Sequence, residues 1–301
     1  MSTPVLSVII PVYNVGTYLE GALLSVRNQT FSDFECIVVN DGSTDDTAQV
    51  LERVAAADPR MKVLTQKNSG LVASLKNAIA AARGEFLARM DGDDFCTPDR
   101  FAKQVEFLRA HPEVVCVGAC VDMLDPRGRR LKTYRPPEKH AAILAELLAG
   151  NGGALIHPTV TCRKAAVDQI GGYSTAFAGY GEDWDLFLRL SKLGRLHNLP
   201  EVLLKYRQHA KSYNQTRSAA QIERLSSAVR DARLAHGLEP LASIGSVNDQ
   251  DSVFRQWALW ALEGNEPRTA VLHAAAGVLR APLEYRSWSL FQYVVRQGLR
   301  A

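Results

Sequence analysis

Long apolar runs, metal-type cysteine pairs, a strong charge of either sign and glycine-rich nucleotide motifs are all missing from this chain. Each absence removes a class of protein. The longest clean apolar stretch, near Ala270–Leu279, is interrupted by His273 and is about half the ~20 residues that span a bilayer. Met1–Tyr13 has no basic n-region and contains Val8-Ile9-Ile10-Pro11, which reads as a buried strand and predicts no signal peptide. The five cysteines (Cys36, Cys96, Cys116, Cys120, Cys162) form no CxxC pair, so ordinary thiols in a reducing compartment are expected. With 35 basic and 32 acidic residues the net charge is only +3, which argues against nucleic acid as a partner. Thirteen prolines and 21 glycines in 301 residues are too few for a low-complexity chain, and 47% hydrophobic content excludes a disordered one. A cytoplasmic globular protein of one large domain or two is expected.

What is present is an alternation of short apolar runs and amphipathic stretches. Val5–Pro11 reads as a strand, and Thr17-Tyr18-Leu19-Glu20 as a capping box opening a helix in which Leu19, Leu23 and Val26 recur at helical spacing. Phe34–Val39, Met61–Leu64 and Phe86–Met90 read as further strands. Between them Ser43, Asp45 and Asp46 are expected to start one helix, and Gly70–Arg83 to form another that stops at Gly84. Thr97-Pro98 reads as the start of the next helix. This βαβαβαβ rhythm predicts an α/β fold with a mostly parallel sheet and helices on both faces. Ligands in such sheets bind beyond the C-terminal strand ends, so the loops after Pro11, Val39, Leu64 and Met90 are expected to line one crevice. Further on, Val114–Leu124 and Arg130–Tyr134 flank the turn Asp125-Pro126-Arg127-Gly128 as a hairpin. Helices are expected at 138–148, 184–193 and 218–236, and extended chain at 159–163 and 196–207. From Ser252 only helices are expected, near 252–263, 267–280 and 283–297; this tail holds six Arg against three Glu.

Three acidic segments carry the chemistry. Asp91-Gly92-Asp93-Asp94 follows a buried strand, and carboxylates so close repel unless a cation neutralises them. Hard oxygen ligands of this kind suit Mg2+ or Mn2+. A solvated acidic turn is the plainer reading. Val39-Asn40-Asp41-Gly42-Ser43 offers a carboxylate to a nucleobase or ribose, or merely an Asp-Gly turn with Ser43 as helix cap. Gly179-Tyr180-Gly181-Glu182-Asp183-Trp184-Asp185 opens an apolar-striped helix. Its acids either complement the helix dipole or supply a general base. Pro11-Val12-Tyr13-Asn14 stands where a dinucleotide-binding protein would carry GxGxxG, and no GxxxxGK[ST] occurs, so NAD(P) and a P-loop are not expected.

Taken together, these segments resemble family 2 glycosyltransferases of the GT-A fold over about residues 4–215. The matching pieces are Ser7-Val8-Ile9-Ile10-Pro11-Val12-Tyr13-Asn14, Asn40-Asp41-Gly42-Ser43, Asn68-Ser69-Gly70, Lys76-Asn77, Arg83-Gly84-Glu85, Asp91-Gly92-Asp93-Asp94, Gly171-Gly172-Tyr173 and Glu182-Asp183-Trp184-Asp185-Leu186. Their order and spacing make the resemblance specific. It implies a GT-A domain over 1–240, with a nucleotide-sugar half over about 1–110 and an acceptor half over about 111–240, then a helical extension over 241–301. It also implies inverting, metal-dependent transfer from a nucleotide sugar, UDP-linked by the family's habit, to a saccharide or lipid-linked saccharide in surface polysaccharide or glycolipid assembly.

By the same resemblance Pro11, Tyr13 and Asp41 form the uracil and ribose pocket, with Asn68 and Lys76 nearby. Asp91 and Asp93 are the DxD pair that holds Mn2+ or Mg2+ and the donor, and Asp94 contacts the donor sugar. Asp183 is the base, and Glu182 positions it or the acceptor. Arg207 and His209 fall near the diphosphate, with His209 also a candidate metal ligand. Lys76 replaces a usual Arg, a point charge in place of a bidentate fork. Gln221-Ile222-Glu223-Arg224-Leu225 echoes the QxxRW of processive synthases but has Leu225 where Trp is required, so a processive synthase is not expected. Two other classes fit parts of the sequence. A haloacid-dehalogenase-like phosphatase also uses Asp-x-Asp, though normally after its first strand, and a non-catalytic sugar-nucleotide-binding subunit would keep the same fold. The tail's Phe254, Trp257, Trp260, Ala261, Leu283, Trp288, Phe291, Tyr293 and Val294 predict helix packing. Its arginines raise a second possibility, peripheral contact with the cytoplasmic membrane face.

Overall fold

The run at Val5–Pro11 becomes β1 (Leu6–Val12), and all of its residues are buried. A strand covered on both faces has no reason to alternate in polarity, which is why its sequence is almost continuously apolar. In the computed structural model, which describes residues 3–209, 219–241 and 253–298, β1 is followed by α1 (Gly16–Arg27), β2 (Phe34–Asn40), α2 (Thr47–Ala56), β3 (Met61–Thr65), α3 (Leu71–Ala81) and β4 (Phe86–Arg89). β1 pairs in parallel with β2 and β4, and β2 with β3. The register aligns Val12 with Asn40 and Asn40 with Thr65, so three strands end level and their loops leave from one edge.

After β4 come β5 (Phe95–Cys96), α4 (Arg100–Ala110), β6 (Val114–Leu124), β7 (Arg130–Tyr134), α5 (His140–Leu148), β8 (Thr161–Arg163), α6 (Lys164–Gln169), α7 (Glu182–Leu190), β9 (Arg195–Arg207) and α8 (Ala219–Ala235). The sheet runs β3-β2-β1-β4-β8-β6-β9-β5, with β7 beside β6. It turns mixed at β8, which is antiparallel to both β4 and β6. The tail forms α9 (Val253–Glu263), α10 (Pro267–Arg280) and α11 (Tyr285–Gly298).

The chain divides into two compact units, joined through β6 and β9. The first holds residues up to 121, then 135–204 and 218–244; the second holds 122–134, 205–217 and 245 onward. In the first unit one core joins Ile9, Ile37, Val39, Leu75 and Leu87 of the sheet and α3 to Trp184 and Phe187 of α7. Each such side chain contributes about 1.5–3 kcal/mol by leaving water. Trp184 also donates its indole N–H to the carbonyl of Leu147 at 2.7 Å, which fixes the start of α7 on the core. In the second unit the hairpin turns at Asp125, whose buried carboxylate accepts from the amides of Arg127 and Arg129 at 2.9 Å each and faces His273 Nε2 at 3.1 Å. Lys132 pairs with Glu263 at 2.7 Å, and Trp257, Ala258, Ala261, Ala270 and Ala274 are buried among the helices.

Three helix starts differ from the expectation. Thr17 lies inside α1, and no side chain within that helix caps it. Its first amides are satisfied from the next loop instead, Val15 N by Thr47 Oγ1 at 3.0 Å and Gly16 N by Asp45 Oδ2 at 3.1 Å. Ser43 is not the cap of α2, which begins at Thr47; its hydroxyl accepts from Asn14 N at 3.0 Å. α4 begins at Arg100, after Asp99, while Thr97 bonds the Asp99 carboxylate at 2.9 Å. For α1, contacts distant in sequence supply what local patterning assigned to Thr17.

The Arg83-Gly84 segment has a structural role. Buried Glu35 of β2 accepts from Ser7 Oγ at 2.8 Å, Lys62 Nζ at 2.7 Å, and the Arg83 amide and guanidinium at 2.8–3.1 Å. Burial alone would raise its pKa, but the donors from Lys62, Arg83 and Ser7 outweigh it and hold the group at about 2. Gly84 N donates to the same Ser7 hydroxyl at 2.8 Å. The pair therefore clamps the start of β4 beside β1.

Candidate active site

The level strand ends put three loops side by side, and their side chains stitch them together. Asn14, after β1, accepts the amide of Thr44 at 2.8 Å. Asp41, after β2, is 4% exposed and accepts from Gln66 Nε2 at 2.7 Å and from the amides of Ser69 and Gly70 at 2.8 Å each. Asp41 thus shapes the loop that carries Asn68. Gly42 has φ +71°, and a Cβ there would lie 2.8 Å from Asn68 N, so the turn admits no side chain. Pro11 is buried in β1 and Tyr13 is exposed at the crevice edge of the strand, with Asn68 and Lys76 also exposed.

The acidic turn follows β4, the last of the parallel strands, which pairs with β1 on one side and antiparallel β8 on the other. Asp91, Asp93 and Asp94 each offer an oxygen, all within 4.8 Å of one another. Gly92 is packed so tightly that a Cβ would meet Val12 Cγ1 at 2.6 Å, which brings the turn against the end of β1. The side chain that organises the turn is Arg89. It is 4% exposed, and its guanidinium grips Asp91 through both carboxylate oxygens at 2.8 and 2.6 Å. Behind it, fully buried Arg100 donates to the carbonyl of Arg89 at 2.8 Å and to Gln104 at 3.1 Å. Burial and the negative charges of Asp93 and Asp183 push the Asp91 carboxyl above the usual range, against the pull of Arg89. Three clustered carboxylates with too little positive charge are a fitting donor set for a hard divalent cation.

Glu182 and Asp183 begin α7, where the helix dipole favours acids. Asp91 feels Asp183, and Glu182 feels both Asp91 and Arg89, so the fold brings the start of α7 to the acidic turn. Glu182 is 5% exposed, and its Oε2 has no hydrogen-bond partner among the described residues. Burial and the neighbouring Asp183 charge push its carboxyl up to about 7. Asp183 is half-buried and accepts the Trp184 amide at 2.8 Å through one oxygen. Asp185 is committed to Arg189, which also donates to the Ile170 carbonyl at 2.9 Å. Of the three acids, Asp183 is the one that combines partial exposure with proximity to the turn. The segment leading into α7 is braced by α8: Gln221 donates to the Gly179 carbonyl and Arg224 to the Ala176 carbonyl, each at 3.0 Å. The faint QxxR echo therefore holds the loop before the acids.

Two buried residues near the site, Arg89 and His157, carry no motif in the sequence; His157 is the partner of Tyr173. His157 Nε2 and Tyr173 Oη lie 2.6 Å apart in a buried pair. Burial, aided by the Arg89 charge, lowers the His157 pKa well below its usual value, so the ring is neutral. An arginine inside the apolar strand Phe86–Met90 was a usable signal, since a buried guanidinium demands an acid nearby. His157 had no comparable signal. Arg207 and His209 belong to the second unit. There Arg207 is buried, and its Nη1 donates to the carbonyls of Asp125 and Pro126 at 3.3 and 2.9 Å.

Residues 7–171 match the family described as Glycosyl transferase family 2. An uncharacterised glycosyltransferase of Haemophilus influenzae is 33% identical over 227 residues, 71% of this chain and 68% of that protein. The amylovoran biosynthesis glycosyltransferase AmsE of Erwinia amylovora is 34% identical over 242 residues, 77% and 89%. Among solved structures, S. aureus TarS 1-349 in complex with UDP-GlcNAc has a TM-score of 0.62 at 17% identity, over 98% of this chain and 80% of that one. A mannosyltransferase from Pyrobaculum calidifontis in complex with GDP-Man and Mn2+ has a TM-score of 0.56 at 17% identity, over 99% and 86%. The phosphatase reading falls with these matches and with the position of Asp91, which follows β4 and not β1.

Proposed function

This chain belongs to glycosyl transferase family 2 and is a glycosyltransferase; from that premise we propose that it moves a sugar from a UDP-linked donor to a hydroxyl of a saccharide or lipid-linked saccharide, with inversion. The observation that carries the proposal is the convergence of two acidic segments. Asp91, Asp93 and Asp94 stand at the end of β4, and Glu182 and Asp183 at the start of α7, close enough for their charges to interact.

In this reading the nucleoside lies over the level strand ends, against Tyr13 and the loops that Asp41 holds, with Pro11, Asn68 and Lys76 around it. A divalent cation, Mn2+ or Mg2+, would be held by Asp93 and Asp91 and would supply charge neutralisation for the departing diphosphate. Asp94, fully buried behind the turn, is the acid that the family resemblance assigns to the donor sugar. Asp183 takes the proton of the acceptor hydroxyl as that oxygen attacks the anomeric carbon from the face opposite the diphosphate. The bond from the anomeric carbon to the diphosphate oxygen breaks, and its electron pair leaves with UDP. The transition state has oxocarbenium character, by analogy with glycoside hydrolysis. An α-linked donor gives a β-glycoside. Glu182, neutral over much of the range below pH 7, holds the acceptor or Asp183 without adding a second full charge.

The relative named for amylovoran biosynthesis supports an acceptor in surface polysaccharide assembly. Such an acceptor, if lipid-linked, is presented at the cytoplasmic membrane face. No helix among the described residues is long and apolar enough to cross a membrane. A thermal-shift panel of nucleotide sugars, with and without Mn2+, tests the donor class, because a ligand stabilises by RT ln(1 + [L]/Kd). The proposal expects UDP-sugars to raise the melting temperature and Asp93→Asn to remove the metal-dependent part of the rise. No response to any UDP-sugar, or an equal response to GDP- and UDP-linked donors, would reject the donor assignment.

A further inference from the structure

The tail helices bury one face and leave another bare. Trp257, Ala261 and Val294 are buried, as packing requires. Around the α10–α11 turn, however, Leu279 is 83% exposed, Leu283 99% and Tyr285 84%. On α11 the exposed residues Tyr285, Trp288, Gln292, Tyr293 and Arg296 follow the spacing i, i+3, i+7, i+8 and i+11, which places them on one side of the helix. Arg286 borders the same side. Glu284 is the one acid between Leu279 and Gly298, against Arg280, Arg286 and Arg296. Among the described residues none of these three arginines makes an ion pair, although Arg280 lies 5.5 Å over the Phe254 ring. By contrast, Glu263 and Glu266 on the neighbouring elements are paired with Lys132 and Arg130.

We propose that this face, the α10–α11 turn with the exposed side of α11, docks on an anionic membrane surface. Leu279 and Leu283, both strongly exposed at the helix turn, would enter the acyl boundary. Tyr and Trp rings, apolar in body and polar at the tip, suit the head-group layer. The arginines beside them then meet lipid phosphates, each adding ~1 kcal/mol. The face is poorly suited to a second copy of the chain, because a two-fold contact would set arginines against arginines with only Glu284 to offset them. The inference rests on the reading that the acceptor is membrane-borne only for its purpose, since the surface itself is argued from exposure and charge.

Co-sedimentation of the full chain with vesicles tests it, with neither donor nor acceptor present. Binding is expected with phosphatidylglycerol-containing vesicles and not with phosphatidylcholine alone, and it should weaken as salt rises. Arg286→Gln/Arg296→Gln should lower the partition coefficient roughly thirty-fold, and Leu283→Ser/Tyr285→Ser should lower it further at high salt. Both pairs are exposed, so the fold should survive, and UDP-sugar binding in solution should be unchanged. Equal recovery in the supernatant with and without phosphatidylglycerol would overturn the proposal. So would vesicle binding that both variants retain in full, or a chain that is dimeric in solution and becomes monomeric in the variants. Loss of UDP-sugar binding by the wild type in the parallel assay would count against the donor assignment and leave this surface untouched.

Discussion

Replacing Arg89 by Met tests whether the acidic turn is held by one buried guanidinium. Met keeps the stem and its packing but removes the charge and both bonds to Asp91, at 2.8 and 2.6 Å. Breaking a fully buried pair by deleting one partner costs about 3–5 kcal/mol, chiefly because the other charge is left stranded. Here the Arg89 side chain is 5% exposed and that of Asp91 29%, so Asp91 keeps some water and a loss of about 2–3 kcal/mol is expected. That is a large part of a typical stability of about 5–15 kcal/mol, yet the fold should persist. The diagnostic is the double variant. In Arg89→Met/Asp91→Asn no charge is stranded, so it should be more stable than the sum of the single variants implies, by about 1–2 kcal/mol. Urea unfolding of the four proteins at pH 7 in EDTA measures this. Additivity within about 0.5 kcal/mol would refute the idea that Arg89 acts through Asp91.

Asp93→Asn should abolish transfer while leaving the melting temperature of the metal-free protein within a degree or two, and EDTA should inactivate the wild type reversibly; full activity in either case would remove the metal from the reaction. Asp41→Asn replaces an acceptor of the Gly70 amide with an amide nitrogen, so it should cost about 1.5–3 kcal/mol and weaken UDP-sugar binding. Calorimetry and a thermal melt check both, and an unchanged melt would mean that Asp41 does not shape the loop. Glu182 gives a pH signature. Its folded pKa of about 7 lies above the ordinary 4.5, so its penalty is absent below 4.5, builds as pH rises toward 7 and is complete above. Glu182→Gln should therefore gain up to about 3 kcal/mol relative to wild type between pH 4.5 and 8, measured without metal; a flat difference would show that Glu182 is not buried against Asp183.

The strand-and-helix rhythm was legible because both faces of the sheet are covered, and such strands announce themselves as apolar runs. β6 and β7 emerged at the expected boundaries because the Asp125–Gly128 turn has its own local chemistry. Helix starts were not legible where the cap came from another loop. Asp45 and Thr47 serve α1 from about 30 residues away, and no local window contains them. The same holds for the site. The acidic segments stood out as motifs, whereas the pairing of Arg89 with Asp91, the His157–Tyr173 contact and the bracing of the α7 approach by Gln221 and Arg224 are products of topology. The division into two units likewise depends on the hairpin 122–134 grouping with a tail more than a hundred residues later.

The central claim is that Asp183 removes the acceptor's proton during transfer from a UDP-sugar bound over the strand ends. The most direct measurement compares wild type and Asp183→Asn for UDP release with and without acceptor, alongside donor affinity by calorimetry. The expected result is a fall of ~10³ or more in acceptor-dependent turnover, with donor affinity within a few-fold of wild type and a wild-type product of inverted anomeric configuration. Normal turnover by Asp183→Asn, or a product that retains the donor's configuration, would contradict it.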